Sequence, residues 1–110
     1  MNIIDNRPKH EVKRIQRKRS KGFRLPLNTL CIGRGKGCKY PNPYTVKEFG
    51  LERCLILYEG WLNYQCVYVR GYLDDLTGYD YVACWCPVGK PCHGDILLRK
   101  AREMGIIANE

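Results

Sequence analysis

The sequence predicts an α/β fold: one small layered domain with a few-stranded sheet and helices packed on it. Three observations carry this. Length and composition set the scale: 110 residues, 45% hydrophobic and 27% charged, hold one core and are too apolar for a disordered chain. Eleven Gly and six Pro exclude a bundle of long helices. Short apolar, β-branched runs then alternate with segments of helical period, the pattern of layered α/β chains.

Residues 1–10 (MNIIDNRPKH) lack periodicity and read as a loose N-terminal arm preceding a domain over 11–110. Residues 11–17 suit an edge strand, whose charges discourage pairing with other chains. Residues 29–33 (TLCIG) read as a short buried strand. GRGKGCKYPNPY must be a loop. Thr45 and Glu48 form a capping box, and Leu51, Cys54, Leu55, Tyr58 and Leu62 follow at helical spacing, predicting a helix from about 46 to 63. Residues 70–76 suggest a short helix ended by Gly78. Residues 79–86 (YDYVACWC) form a nearly continuous apolar run, as expected of a central strand. Ile96, Leu97, Ala101 and Met104 mark a last helix from about 92 to 104, stopped by Gly105.

No stretch approaches the roughly 20 apolar residues of a membrane helix, and the chain opens polar, without a signal-peptide core; an intracellular setting without membrane partners is expected. Net charge is +8 and uneven. Residues 1–24 hold nine basic and two acidic residues, against ten and nine in the remainder. Lys13, Arg14, Arg17, Lys18, Arg19 and Lys21 form a dense run, the footprint of a polyanion such as nucleic acid. A solvated surface gives the same composition, and a nucleotide would use the same charges.

Seven cysteines are an odd number for a fully paired framework. Cys31, Cys54 and Cys66 sit in apolar runs and read as reduced small hydrophobes. Strand alternation puts Cys84 and Cys86 on one side and Trp85 on the other. Cys92 and His93 arrive at the first turn of the last helix. Cys84, Cys86, Cys92 and His93 could converge as a tetrahedral Zn set, although C-x-C is tighter than the usual spacing. Alternatively, Cys92 at a helix start is a reactive thiolate with His93 or Asp95 as proton carrier. The same helix start could bind an anion, or the cysteines could be plain core. The Gly33–Gly37 loop carries Arg34 but lacks a following helix, which disfavours a dinucleotide fingerprint. Tyr58, Trp61, Tyr72 and Trp85 lie in periodic segments and are expected in the core.

The combination G-R, N-P-Y, Y-x-x-W-L and C-W-C-P followed by P-C-H-G-D-I-L-L, spread from Arg14 to Ala101, resembles a family of small phage and bacterial proteins known as domain of unknown function 4326. Where that family has Trp-Gly before Asn-Pro, this chain has Tyr40-Pro41, keeping an aromatic. The resemblance implies an α/β fold, an intracellular and phage-related setting, and a polar site shared by two loops, with Arg34, Asn42, Cys84, Cys86, Cys92, His93 and Asp95 as its residues. The leading expectation is a pocket at the strand ends for a nucleotide-like or nucleic-acid ligand. Arg34, Asn42 and Tyr44 would bind it, and His93, Asp95 and Cys92 would serve any catalysis. The alternatives are a Zn-stapled nucleic-acid-binding module without catalysis, and a virion or host-interaction protein.

Overall fold

The computed structural model describes residues 11–33, 38–86 and 89–108. Arg34 and the N-terminal arm therefore lie outside the described residues. Three short strands, β1 (Lys13–Gln16), β2 (Thr29–Cys31) and β3 (Tyr81–Cys84), form one sheet in the order β1-β3-β2, with both pairs parallel. The apolar run YVAC is thus the central strand, buried on both faces. The charged KRIQ takes an edge, where solvent can reach its side chains. Asn28, at φ 60°, accepts from the amides of Asp80 and Tyr81 and so sets the start of β2 beside that of β3. Asn tolerates this left-handed conformation better than most residues.

Between β2 and β3 the chain forms α1 (Val46–Phe49), α2 (Leu51–Tyr68) and a 3-10 helix (Asp74–Gly78). The expected single helix over 46–63 is broken and longer. Gly50 sits at φ 78°, ψ 159°, which ends α1 after one turn, and α2 then runs on to Tyr68. Thr45 caps α1, its hydroxyl oxygen accepting the Glu48 amide. Last comes α3 (His93–Glu103), whose N-cap is Cys92. Gly105, at φ 73°, turns the chain after it. The expected helix over 70–76 is instead a turn followed by the 3-10 segment.

Tyr58 and Leu62 of α2 meet Leu97, Leu98 and Ala101 of α3 over Val12, Leu30 and Val82 of the strand region, all buried. An Arg99–Glu59 ion pair at 2.5 Å links the two helices at the surface. Tyr40 lies in the core at φ 54°; its hydroxyl donates to the Tyr72 carbonyl, and its own carbonyl accepts the Tyr58 hydroxyl. The aromatic kept before Asn42 is therefore a packing residue. Lys39 is ion-paired with Asp75.

Two cysteine and aromatic expectations are overturned. Cys31 is not a reduced hydrophobe but is disulfide-bonded to Cys38. Chain reversal after β2 brings the two sulfurs together, and the Lys39 amide donates to the Cys31 carbonyl at the same point. Trp85 is not core: 42% of it is exposed, because it follows the last strand residue and leaves the sheet.

Candidate functional site at the carboxyl edge of the sheet

All three strands are parallel, so their carboxyl ends share one edge, the place where α/β sheets hold ligands. Three thiols converge there. Cys84 ends β3, Cys86 follows two residues on, and Cys92 returns as the N-cap of α3 with its Sγ accepting the Gly94 amide at 3.4 Å. The Cys84 and Cys92 sulfurs are 3.1 Å apart, and all three sulfurs lie within 4.8 Å of one another. Cys84 and Cys92 are buried, and Cys86 is half-buried.

This donor set fits a soft metal ion. A tetrahedral Zn–S length of about 2.3 Å places bound sulfurs roughly 3.8 Å apart, so the close pair would open by less than about 1 Å. The charge environment points the same way. The Cys84 thiol is pulled down to about 5 by the hydrogen bond with Cys92, with help from the Cys86 backbone and Arg14 and against burial. Cys92 is pushed up by that same bond and by burial. Burial also raises Cys86. Without a metal, the shared hydrogen bond favours ionisation of Cys84 and opposes that of Cys92.

Arg14 explains how these segments are held together. Its side chain is only 4% exposed. Nε donates to Asp95 Oδ1 at 2.9 Å, Nη1 to the Cys86 carbonyl at 2.9 Å and to Cys84 Sγ at 3.4 Å, and Nη2 to the Lys90 carbonyl at 3.2 Å. One guanidinium thus joins β1, the end of β3, the following turn and α3. Gly94 makes room for it: a Cβ there would stand 2.7 Å from Arg14 Cδ and 2.8 Å from Ile32 Cδ1. Arg14 is therefore a buried strut, and it is withdrawn from the nucleic-acid-contacting run. Strand alternation carried a signal for this, because Arg14 shares a face with the fully buried Val12. By contrast Lys13, Lys18, Arg19 and Lys21 are exposed, and Arg17 is half-buried.

His93 stands beside the thiol trio. Its Nε2 is 2.7 Å from the Ile32 carbonyl, which can only accept, so Nε2 carries the proton and Nδ1 faces Cys92 Sγ at 3.8 Å. The imidazole edge also packs on the Tyr58 ring. His93 and the trio form one wall of a cleft of about 280 Å³, whose opposite wall is apolar: Val46, Leu51 and Leu55. Asn42 lines the cleft, but its amide is engaged internally. Nδ2 donates to Cys54 Sγ at 3.2 Å, and Oδ1 accepts the Tyr44 amide. Tyr44 packs edge-on against Phe49. Asp95 lines a different cavity, where it pairs with Arg14. The fold therefore brings Cys84, Cys86, Cys92, His93 and Asn42 to one cleft, and places Asp95 elsewhere.

Sequence reasoning missed the cleft's rim. Trp85, which lines the cleft, has the guanidinium carbons of Arg17 and Arg19 at 4.7 and 4.9 Å from its ring. Arg17 Nη1 is 3.0 Å from Cys31 Sγ, which ties this rim to the disulfide. The signal was the pairing of a basic run at the end of one strand with an aromatic at the end of its neighbour.

Among the described residues, no helix is long and apolar enough to cross a membrane. No curated protein and no solved structure matches the chain. One family does, described as Domain of unknown function (DUF4326), over residues 15–103. That span includes both walls of the cleft, the three thiols and the Trp85 rim, and the chain belongs to this family.

Proposed function

We propose that this chain is a binding domain for a nucleotide-like or nucleic-acid group, with its ligand site in the cleft at the carboxyl edge of the sheet. The observation that carries the reading is the Trp85 ring flanked by Arg17 and Arg19. The two guanidinium groups held over this partly exposed indole suit phosphate, and a base would stack on the ring by displacing one of them toward that phosphate. Binding is preferred to acid–base catalysis because His93 and Asp95 line different cavities. The test is tryptophan fluorescence in a Trp61→Phe background, titrated with nucleoside monophosphates and with a twelve-residue oligothymidine. Quenching that weakens several-fold in Arg19→Gln supports the reading. No quenching by any of them at millimolar concentration refutes it.

A second reading, compatible with the first, is a Zn ion on Cys84, Cys86 and Cys92, favoured by the convergence of the three sulfurs. Three thiolates leave a fourth position, open either to His93 Nδ1, which lies 3.8 Å from Cys92 Sγ while the Ile32 carbonyl holds Nε2–H, or to a water or ligand group. Bound there, the ion would supply a Lewis acid on the cleft wall. Elemental analysis should give about one Zn per chain in the native protein, lost in Cys86→Ser and kept in Cys66→Ser. Metal-free protein under reducing, Zn-replete conditions rejects it.

A further inference from the structure

A second concavity lies on the other side of the Gly89–Pro91 turn from the thiol cleft. It is an open groove of about 600 Å³ between the start of β1, that turn and α3. Lys13, Lys90 and Arg102 line it, with Arg14 and Leu98 in its floor. Among the described residues the only acid lining it is Asp95, and Arg14 already pairs with that carboxylate at 2.9 Å. Glu11 lies 4.0 Å from Lys13, with both groups largely in water, where such a contact is weak. The groove is thus a cationic concavity whose own carboxylate is neutralised from below.

We propose that this groove is an anion site for phosphate groups, either along a nucleic-acid strand or on a compact polyphosphate. The chemistry is shared by both sources. Lys13 and Lys90 carry ammonium groups on an edge strand and a turn, both exposed and suited to successive phosphates. Arg102 adds a third positive charge to the lining. The groove is wide and shallow, unlike the small apolar cleft, which suits a charged backbone better than a buried base. It stands independently of the Trp85 rim and of any metal on the thiols.

The test uses the full chain with two probes: fluorescein-labelled twelve-residue oligothymidine, and inorganic tripolyphosphate as competitor. Lys13→Gln/Lys90→Gln is compared with Lys47→Gln/Arg53→Gln, which removes the same charge from α1 and α2. All variants are first matched for melting temperature. The groove pair should weaken oligothymidine binding about tenfold at moderate salt. It should also flatten the slope of log affinity against log salt by roughly 1.4, from about 0.7 per single-strand phosphate contact. The control pair should change little. If tripolyphosphate displaces the oligomer from the wild type and the groove variant no longer binds it, the site takes compact phosphates as well. Equal losses in groove and control pairs would mean diffuse attraction and overturn the proposal. So would an unchanged groove variant. Should Arg19→Gln alone then abolish binding, the Trp85 rim would survive as the site while the groove would not.

Discussion

Replacing Arg14 by Gln should cost more stability than any other single change of a basic residue in this chain. The side chain is 4% exposed and donates to a carboxylate, two carbonyls and a thiol. Hydrogen bonds to charged groups contribute about 1.5–3 kcal/mol each in favourable cases. Two features reduce the total. Asp95 is about half exposed, so water can re-solvate its carboxylate, and Lys90 is an exposed turn residue. The loss therefore falls below the roughly 3–5 kcal/mol of a fully buried pair broken on one side. About 2–3 kcal/mol remains, dominated by the Cys86 carbonyl and the Asp95 contact. For a domain of this size that lowers the melting temperature by roughly 8–15 °C. Urea unfolding of the metal-free protein, kept under nitrogen, measures it. Arg14→Lys should recover only part, because a point charge cannot reach β3, the turn and α3 together. Unfolding free energies of wild type and Arg14→Gln agreeing within about 0.5 kcal/mol, a difference typical of neutral surface changes, would refute the strut.

Further outcomes follow from single positions. Gly50→Ala should destabilise by about 1–3 kcal/mol although space around it is open, because its φ 78°, ψ 159° conformation is essentially reserved for glycine. Gly60→Ala, in mid-helix with nothing near its would-be Cβ, should stabilise by about 1 kcal/mol; thermal melts of the two variants should move in opposite directions. Tyr58→Phe should cost about 1–2 kcal/mol in chemical denaturation, since it leaves the Tyr40 carbonyl without its buried donor. In metal-free protein, the lowered Cys84 thiol makes stability rise from about pH 5 toward the ordinary thiol range, because the unfolded chain holds that proton longer. Above that range the raised Cys92 and Cys86 reverse the slope, as the unfolded thiols ionise first. Cys84→Ser should flatten the rising limb, and an unchanged pH profile would show that Cys84 is not the thiolate.

The α/β layering was legible because local signals agreed with the global fold, whereas the parallel pairing of the strands came only with the structure. The apolar YVAC run takes the centre, the charged KRIQ an edge, and the Thr45 cap and the Cys92 helix start lie where the pattern put them. Cys84 and Cys86 do come together, although the strand expected over 79–86 runs only from Tyr81 to Cys84 and leaves Cys86 beyond it, and the helix start brings Cys92 to them. Three things required the tertiary structure. Whether Arg14 meets water or four partners depends on the approach of α3 to β1, through a gap that only Gly94 leaves. Whether Cys31 is paired depends on how the chain reverses after β2. Whether His93 and Asp95 cooperate depends on the direction each takes from one helix turn, toward the cleft or toward the groove. Period and propensity act within a few residues, so they define elements and shared faces. Partners separated by 70 or 81 positions, as Arg14 is from Cys84 and Asp95, are selected only when packing brings those faces together.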